Sequence, residues 1–531
     1  MYDILIIGNG GAGLSAAISL HNRGFDVAIV SKTNATSSQT SQAQGGINAV
    51  LGKNNDTVQN HIDDTLKSAN KLGSKEAITF MCEESSSTIE WLDTLGVPFS
   101  RNEQNNIAQR QMGGASNNRA CYSSDYTGLK ILHTLFDTAL ALGITFIDDT
   151  MLLNLIVDNN EVKGITALNI KTTEVVQILS KATIMATGGY GGVYYNYSTN
   201  SSATTSDGII AAIKAGVELE NMEYVQFHPT ALKDKFILIS ESARGEGGYL
   251  VTKDEKRFVD ELKPRDIVAR EIYKKLLNNE EVFLDIRHLG LEKIMHLMPQ
   301  EYKLCEQFTS LKMDKDLIPI TPASHYTMGG IKVKSDSSTN IKSLYAIGEC
   351  SSNGVHGANR LGGNSLLEIV TFGKNLGDTL CISDNPIISK IYDQFICDKN
   401  KINDEFNKEA TNDFYKLREK LGKVMYENVG LFKNDEKLNE ALNKILEYKN
   451  EFDNISITDK SKIYNTNLKD LLEFKNMILC AEVIILSAIN RTESRGSHYR
   501  SDFKQPKEEF EKNTIISYEN DILNVRLEDV K

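Results

Sequence analysis

The chain opens with an apolar run, then glycines, then an amphipathic pattern. The run DILIIG predicts a buried strand, Gly8-x-Gly10-x-x-Gly13 a tight turn, and LSAAISLHNRG a helix that ends at Gly24. FDVAIVSK predicts a second strand. A dinucleotide fingerprint requires this strand–turn–helix–strand setting, in which a pyrophosphate lies on the helix N-terminus. The pattern therefore predicts a nucleotide site rather than a structural glycine turn.

The second strand departs from the simplest fingerprint. It ends in Ser31-Lys32, where an acidic residue would hold an adenosine ribose. The departure weakens the assignment to NAD and leaves room for a flavin held by other contacts.

Further glycine pairs follow polar or β-forming runs. In SSQTSQAQGGINAV, Gly45 and Gly46 offer backbone N–H groups that could approach a flat ring, although a flexible surface loop has the same composition. Alternating β character over 143–181 ends in ATGGYGG, as expected where backbone wraps a second part of one ligand. Asp207 then opens a predicted helix, DGIIAAIKAG, whose N-terminus could face that ligand.

Residues 56–96 have helical periodicity, and Trp91 there is interpreted as core.

The densest polar chemistry lies between Pro322 and Glu368, where His325, His356 and Arg360 stand among glycines. Residues 222–321 differ in character and are interpreted as an inserted domain. From about residue 384 the pattern predicts long helices rich in lysine and glutamate. Near their end, ESRGSHYR is open to two interpretations, a basic helix terminus or a contact with the domain that holds the flavin.

Composition narrows the class of protein. A chain of 531 residues predicts two to four domains, and 40% hydrophobic with 24% charged residues is typical of a soluble enzyme. The net charge of −12 argues against a nucleic-acid partner and a basic membrane-binding face. We expect no bilayer-spanning run and no signal peptide. Seven scattered cysteines without a CxxC pair indicate a cytoplasmic protein with no metal site or iron–sulfur cluster of its own.

Taken together, these motifs resemble the flavoprotein family of succinate dehydrogenase, fumarate reductase and L-aspartate oxidase. The match spans nearly the whole chain, through GNGGAGLSAA, AQGGINA, ATGGYGG, QFHPTAL, ARGEGGYL, PRDIVAR, SHYTMGG, GEC, HGANRLGGNSLLE and ESRGSH. The resemblance implies an α/β fold: a Rossmann-like FAD-binding domain with an inserted α+β capping domain and a C-terminal helical domain. The expected boundaries are 1–221 and 322–383 for the two parts of the FAD-binding domain, 222–321 for the capping domain and 384–531 for the helical domain.

The resemblance also implies roles for individual residues. Arg265 matches the proton donor to fumarate, with Glu241 and Arg244 as the relay that returns its proton from solvent. An exposed ion pair of Arg265 with Asp266 or Glu271 is the alternative. The substrate carboxylates would be bound by His228, Ser240, His325 and Arg360. The cofactor-binding residues expected from the motifs are Gly8, Gly10, Gly11, Gly13, Ser31, Lys32, Gln39, Thr40, Gln44, Gly45, Gly46, Gly188, Asp207, Glu349, Asn364, Ser365 and Leu366.

Two positions bear on which member of the family this chain is most similar to. Gln39 stands where dicarboxylate oxidoreductases carry the histidine that bonds FAD, so FAD is expected to be non-covalent, as in aspartate oxidase. Met112 stands where aspartate oxidases carry a glutamate against the substrate amino group, and an ammonium group there would lose its counter-charge. Because Met112 bears on the substrate itself, we give it more weight than Gln39.

The expected function is therefore interconversion of fumarate and succinate by hydride transfer at FAD, in the catalytic subunit of a fumarate reductase or succinate dehydrogenase. The alternative is an L-aspartate oxidase that makes iminoaspartate for NAD biosynthesis. The first reading implies a four-carbon dicarboxylate substrate and a separate iron–sulfur subunit. It also implies a cytoplasmic chain that reaches the cytoplasmic face of a membrane only through its partner subunits.

Overall fold

The computed structural model describes residues 1–52, 55–382, 390–409 and 412–530. Within them the chain forms strands at β1 (Tyr2–Ile7), β2 (Val27–Val30), β3 (Ile47–Asn48), β4 (Gln109–Arg110), β5 (Ala120–Cys121), β6 (Thr145–Ile147), β7 (Thr150–Asp158), β8 (Glu161–Asn169), β9 (Val175–Met185), β10 (Leu219–Glu220), β11 (Val225–Leu232), β12 (Tyr249–Thr252), β13 (Val282–Asp285), β14 (Ile318–Thr327), β15 (Gly330–Lys332), β16 (Leu344–Ala346), β17 (Ser351–Ser352), β18 (Lys512–Glu519) and β19 (Ile522–Asp529).

The α-helices of the same residues are α1 (Gly11–Asn22), α2 (Val58–Ala69), α3 (Lys75–Glu83), α4 (Ser85–Leu95), α5 (Thr127–Ala141), α6 (Asp207–Lys214), α7 (Glu241–Gly245), α8 (Arg265–Leu277), α9 (Gly290–Leu297), α10 (Pro299–Thr309), α11 (Asn364–Thr379), α12 (Asp393–Asn407), α13 (Phe414–Asn428), α14 (Asp435–Asn450) and α15 (Thr466–Asn490).

The central sheet is built around the predicted strand–turn–helix–strand unit. Its seven strands run β6-β2-β1-β9-β8-β7, with β16 also paired to β9. β1 is parallel to both β2 and β9, with Ile4 opposite Val27 and Ile6 opposite Ile184. Because both faces of β1 are covered, its interior positions are continuously apolar. The α/β class predicted from the sequence is confirmed.

The turn after β1 explains two of its glycines. Gly8 has a φ of +114°, which a side chain rarely tolerates, and a Cβ there would meet the Ala186 carbonyl oxygen at 2.2 Å. A Cβ on Gly13 would meet the Gly8 carbonyl oxygen at 2.1 Å, so this glycine lets α1 pack directly on the turn. Helix α1 begins at Gly11, within the motif and earlier than the sequence pattern predicts.

The capping segment, residues 222–321, contributes a four-stranded sheet in the order β11-β14-β13-β12. Strand β14, the last of the four along the chain, continues beyond this segment to Thr327. Helices α8, α9 and α10 cover this sheet, and Leu232, Val268, Leu284 and Ile320 belong to their shared apolar core. Beyond this segment the chain returns to the central sheet through β16, whose Leu344 lies opposite Thr183 of β9. Strand β11 carries His228, and α8 begins at Arg265. Both residues belong to the capping segment.

The C-terminal part is mainly helical, but it is not entirely so. Strands β18 and β19 form a hairpin in which β18 pairs with β10, within a five-stranded sheet β17-β15-β10-β18-β19. The predicted C-terminal helical domain thus also contains a strand pair, which is completed by a partner strand about 295 residues earlier in the chain. The predicted domain boundaries stay predictions, and the one at 383–384 lies outside the described residues.

Candidate active site

One elongated cavity lies along the carboxyl ends of β1 and β9 and reaches the capping segment. Most of the predicted site residues line it. They are Gly8, Gly10, Gly11, Ser31, Lys32, Gln39, Thr40, Gln44, Gly45, Gly46, Gly188, Asp207, His228, Ser240, Glu241, Arg265, His325, Glu349, Arg360, Ser365 and Leu366. The structure thus brings together residues from four separated parts of the sequence.

The glycine-lined end of the cavity fits an extended nucleotide. A Cβ at Gly10 would find no heavy atom closer than 3.5 Å, and one at Gly188 none closer than 3.8 Å, so the space in front of both is open. Ser38 Oγ and Gln44 Oε1 are buried here without a hydrogen-bond partner among the described residues. Buried polar atoms normally have partners, so these atoms are suited to a polar ligand such as FAD.

The loop from Ser38 to Gly46 crosses the N-terminus of α1. Thr40 Oγ1 accepts a hydrogen bond from the Gly11 N–H at 3.1 Å, and Gln39 Oε1 accepts one from the Ser201 N–H at 2.6 Å. Gln39 is therefore fixed by backbone, and its amide nitrogen remains available to the cavity.

Lys32 is engaged by protein groups rather than free for a ligand. Its ammonium donates to Thr205 Oγ1 at 2.6 Å and pairs with Asp207 at 2.5 Å and with Glu473 of α15 at 2.8 Å. Asp207 also accepts a hydrogen bond from Asn476 Nδ2. The two predicted residues therefore join the nucleotide end of the cavity to the C-terminal helices.

At the other end, a buried carboxylate holds two arginines. Glu241 Oε2 pairs with Arg265 Nη2 at 2.7 Å, and Glu241 Oε1 pairs with Arg244 Nη2 at 3.1 Å. Burial alone would raise the pKa of Glu241, but Arg265 and Arg244 lower it to about 2. Arg265 also donates to Gln226 Oε1, whereas Asp266 pairs with Arg270. The alternative of an exposed ion pair for Arg265 is thus wrong.

Arg360 is a buried cation for which the described residues offer no ion-pair partner. Its Nη1 donates to Ser365 Oγ at 3.1 Å and its guanidinium lies 4.6 Å from the centre of the Tyr326 ring. Among the described residues no carboxylate forms an ion pair with it, and its Nε has no hydrogen-bond partner. Burial and the nearby Arg265 lower the pKa of Arg360 to about 9, which still leaves it charged at neutral pH. An anion in the cavity would supply the missing counter-charge.

Two histidines stand beside these arginines. The rings of His228 and His325 lie 4.9 Å apart, and their Nδ1 atoms contact the Thr230 carbonyl at 3.0 Å and Thr199 Oγ1 at 2.7 Å. Burial lowers the pKa of both well below the ordinary value, with Arg265 adding to the effect. Both rings are therefore neutral at pH 7, and their Nε2 atoms are left for a ligand.

Ser240 and Glu349 flank the central part of the cavity. Ser240 caps α7, and its hydroxyl oxygen accepts from the Ser242 N–H at 3.1 Å. Glu349 accepts hydrogen bonds from the N–H and hydroxyl of Thr327, while burial raises its pKa to about 7.

Met112 is buried at the polar end. A Cβ on Gly45 would meet its Cε at 2.6 Å, and one on Gly362 would meet its Cβ at 3.3 Å. The thioether side chain therefore lies between two glycine-rich loops on the wall of the cavity, near Ser240.

Three predicted residues do not line this cavity. Gly13 serves the packing of α1, and Arg244 lies behind Glu241. Asn364 faces the opposite way, because its side chain is held by Asn48, His61 and Thr65 in a buried network. The resemblance implied that both Asn364 and Ser365 contact the flavin, and of the two only Ser365 lines the cavity.

Sequence reasoning missed the loop from Ser201 to Ser206, which lines the nucleotide end. Its signal was the small polar run SSATTS directly before the predicted helix at Asp207. The late segment around Ser497 contacts the FAD-binding part, since Ser497 N–H and Oγ both donate to the Ala358 carbonyl. Of its two interpretations, the contact is the one that the structure shows.

A second cavity, of about 850 Å³, adjoins the polar end of the first. Met112, Arg265 and Arg360 line both cavities. Its walls come from five parts of the chain, around residues 64–71, 111–116, 262–270, 359–362 and 494–511. The second cavity therefore shares the arginine cluster with the first.

The described residues contain no group of three or more His, Cys, Asp or Glu side chains able to hold a metal ion. No helix in the part of the chain that the structure covers is both long and apolar enough to cross a bilayer.

Fold and site together define an FAD-dependent oxidoreductase. The profile of the FAD binding domain family matches residues 3–366, and that of the fumarate reductase flavoprotein C-terminal domain matches 418–531. The chain belongs to the succinate dehydrogenase/fumarate reductase flavoprotein family.

Relatives match over nearly the full length. The chain is 34% identical to the fumarate reductase flavoprotein subunit of Escherichia coli, covering 94% of this chain and 88% of that protein. It is 36% identical to the succinate dehydrogenase flavoprotein subunit of Coxiella burnetii, covering 95% and 92%. A solved structure of a variant E. coli quinol fumarate reductase superposes with a TM-score of 0.93 at 32% identity, covering 100% of this chain and 97% of the other. The expected family, fold class and cofactor are confirmed.

Proposed function

We propose that this chain is the catalytic flavoprotein subunit of a fumarate reductase or succinate dehydrogenase. The observation that carries the proposal is the buried Arg360, which has no acidic partner among the described residues and lies beside Arg265, His228 and His325. A cavity end with two guanidinium groups and donor-capable rings is suited to a dianion with carboxylates at both ends.

Arg360, Ser240 and the two histidines bind the carboxylates. Arg360 offers a planar fork of N–H donors, of which only Nη1 bonds an atom of the described residues, Ser365 Oγ. If Nδ1 of His228 donates to the Thr230 carbonyl, Nε2 becomes a donor only when the ring gains a second proton, on Nε2. A bound dianion favours that proton, so substrate binding opposes the effect of burial.

FAD, held by the glycine-lined end, supplies or accepts the hydride when bound. Gly10 and Gly188 give the space for its approach, and Glu349 and Ser365 line the middle of the cavity. Gln39 has no nucleophilic ring nitrogen and is fixed to Ser201, which supports non-covalent attachment.

Arg265 delivers the proton at the carbon next to the one that receives the hydride. A guanidinium is a very weak acid, so it gives up a proton only to a strongly basic, carbanion-like carbon in a site that excludes water. Glu241 holds Arg265 through Nε and Nη2 and contacts Arg244 with its other oxygen. This continuous chain lets a proton return to Arg265 from the Arg244 side.

We further propose a separate iron–sulfur partner and a cytoplasmic location at the membrane face through that partner. The support is that the relatives carry the word subunit in their names and that the described residues hold no metal cluster site. Co-purification of an iron–sulfur protein with the tagged chain, read by its iron content, tests the partner. A chain that purifies alone with full activity toward a quinone would contradict it.

The decisive experiment uses the flavin as its own reporter. The FAD of the purified chain is photoreduced without oxygen, and fumarate is added. Separately, oxidised enzyme receives L-aspartate. We expect fumarate to reoxidise the flavin and L-aspartate to leave the oxidised spectrum unchanged. Bleaching by L-aspartate, with peroxide formed in air, would instead make the chain an aspartate oxidase.

Met112 provides a matched pair of variants for the same assay. In Met112→Glu a carboxylate would stand beside the dianion site, so we expect the KM for fumarate to rise at least about tenfold through charge repulsion. Met112→Gln has a similar size without the charge and should change KM much less. Equal effects of the two variants would show that Met112 acts by shape alone.

A further inference from the structure

A buried hydrogen-bonded chain leads from Ser240 away from the cavity into the capping segment. Ser242 Oγ lies 2.7 Å from Ser240 Oγ and 3.3 Å from Glu301 Oε1. The Ser240 backbone N–H is also hydrogen-bonded to the Glu301 carboxyl group. Ser240, Ser242 and Glu301 are all at most 2% exposed. Glu301 belongs to α10 and does not line the cavity, so none of the motifs drew attention to it.

The surroundings of Glu301 disfavour its ionised form. No described cation forms an ion pair with it. The positive charge of Arg110 favours the ionised form of Glu301, but its hydrogen bonds go elsewhere. Its Nε donates to the Gly45 carbonyl, and its Nη2 donates to the carbonyls of Gln44 and Ser124. Asp125 adds negative charge nearby, because it caps α10 by accepting the Gln300 and Glu301 N–H groups. An unpaired carboxylate in such a site costs several kcal/mol, on the order found for buried ions. Burial, with Asp125 adding to it, accordingly raises the pKa of Glu301 well above its ordinary value.

The protonation state of Glu301 decides the direction of the whole chain, since each serine hydroxyl has one proton to donate. An ionised carboxylate could only accept, and it would draw the Ser242 proton. Ser240 would then donate to Ser242 and present a lone pair to the cavity. A protonated Glu301 can donate to Ser242, which donates to Ser240. The Ser240 proton is then free to point into the cavity.

We propose that Glu301 is a positioning residue whose protonated carboxyl group, acting through Ser242, turns the Ser240 hydroxyl proton toward a carboxylate of the substrate. The proposal rests on the dicarboxylate-binding role of Ser240 in the proposed function. It concerns affinity for the dianion rather than the hydride step, so its effect belongs in KM and Kd and not in kcat.

The test compares Glu301→Leu with Glu301→Gln in the FAD-loaded protein. Succinate affinity is read from the flavin difference spectrum, and the KM for fumarate from reoxidation of the reduced flavin. Losing the oriented donor and the acceptor for the Ser240 N–H should weaken Kd and KM about tenfold in Glu301→Leu, the equivalent of one hydrogen bond, with kcat within about twofold. Glu301→Gln, neutral and able to donate and accept, should restore most of the affinity. Tyr302→Phe removes a bond to Asp314 from the same helix and serves as the control.

A double-variant cycle separates positioning from simple damage to the fold. In a Ser240→Ala background, Glu301→Leu should add little further loss, because the group through which it acts is gone. Additive losses would overturn the proposal, and so would unchanged affinity in Glu301→Leu. A Glu301→Gln protein as weak as Glu301→Leu would also overturn it, since that result requires an ionised carboxylate. Bound FAD per chain verifies folding of every variant.

The same data keep the two proposals apart. If wild-type protein binds succinate about tenfold more tightly than Glu301→Leu but fumarate does not reoxidise its flavin, the proposed function fails and the role of Glu301 stands. If fumarate turnover is normal and all variants bind alike, the role of Glu301 fails alone. If the wild-type protein binds no dicarboxylate, both fail.

Discussion

Glu241 is the residue on which both arginines of the relay depend. Its two oxygens each pair with a different guanidinium, and its side chain is 1% exposed. Without this carboxylate the two cations would face each other in a buried site. At the scale of single residues, the proposed proton route is therefore vulnerable at its middle member.

We expect Glu241→Gln to lower kcat for fumarate reduction by about 10²-fold to 10⁴-fold, the usual contribution of a positioned proton-transfer group. The amide keeps the shape but cannot carry the proton between the arginines. Steady-state fumarate reduction with a reduced dye measures it, and bound FAD per chain checks the fold. Glu271→Gln, on the solvent-facing side of α8 beside Lys274, is the control and should retain full activity. Activity of Glu241→Gln within tenfold of wild type would rule out the relay.

Single residues also mark how far the sequence could predict the site. Motif matching selected Arg265 and Arg360, which lie in the cavity as expected. It also selected Asn364, whose contacts with Asn48 and His61 depend on a fold that brings α2 against α11. Glu301 carried no motif at all, because its importance comes from a contact across 59 positions of the chain.

At the scale of elements, the contact between β1, its turn and α1 fixes the nucleotide end. Gly13 permits α1 to pack on the carbonyl of Gly8, while Gly24 at the far end of the helix has open space around it. Glycine is therefore required at the two positions for different reasons. Gly13 allows close approach of the helix to the turn, whereas Gly24 has a φ of +86°.

Gly13→Ala should accordingly prevent stable FAD binding. Its methyl group would lie 2.1 Å from a backbone oxygen, so helix and turn must separate. Gly24→Ala meets no atom within 4 Å and should cost only about 1 kcal/mol from backbone strain. Flavin absorbance per chain after purification measures both. Full FAD content in Gly13→Ala would contradict the packing described for α1.

Helix α11 carries a buried acid, Glu368, whose proton affects stability. Glu368 accepts a hydrogen bond from Asn353 Nδ2, and burial raises its pKa to about 8 from an ordinary 4.5. Between these values the folded state holds a proton that the unfolded state has lost. Stability from this group is therefore complete below pH 4.5 and falls as pH rises, until the folded state also ionises near pH 8.

Glu368→Gln should remove this dependence. Relative to wild type, the free energy of unfolding of the variant should rise by about 2 to 3 kcal/mol between pH 6 and pH 8 and level off above, at about 1.4 kcal/mol per pH unit. Urea titrations of the holoprotein at several pH values measure the difference. Exposed Glu292→Gln should show no such trend. A difference that is flat with pH would mean that Glu368 is ionised in the folded protein throughout.

The elements show a second limit of sequence reasoning. Local periodicity was enough for β1, α1 and the helices between 58 and 95. It did not reveal that β18 completes a sheet with β10, because such a strand is stabilised by a partner far away in the sequence. Short, two-residue strands such as β10 leave almost no pattern of their own.

At the scale of the whole molecule, remote parts of the chain meet around the second cavity. The end of α2, the start of α8 and the segment near Arg495 form part of its wall, and Arg495 donates to the Asn70 carbonyl. The arginine cluster thus lies where the FAD-binding, capping and C-terminal parts converge.

Arg360 has no acidic partner among the described residues, so a dianion that binds it should stabilise the folded protein. A ligand that binds only the folded state adds about 2.7 kcal/mol at a concentration of 100 times its Kd. We expect succinate or fumarate to raise the Tm of the holoprotein by several degrees in differential scanning fluorimetry, and Arg360→Met to abolish that rise. Arg101→Met, at the exposed pair with Asp93, should leave it intact.

Without ligand, Arg360→Met should have a normal or higher Tm, because it removes a buried charge that the dianion would balance. A lower ligand-free Tm would show that Arg360 already stabilises the empty protein. On this reasoning the substrate acts as a structural counter-ion. A cell that runs short of four-carbon dicarboxylates would then lose part of the thermal stability of this protein as well as its turnover.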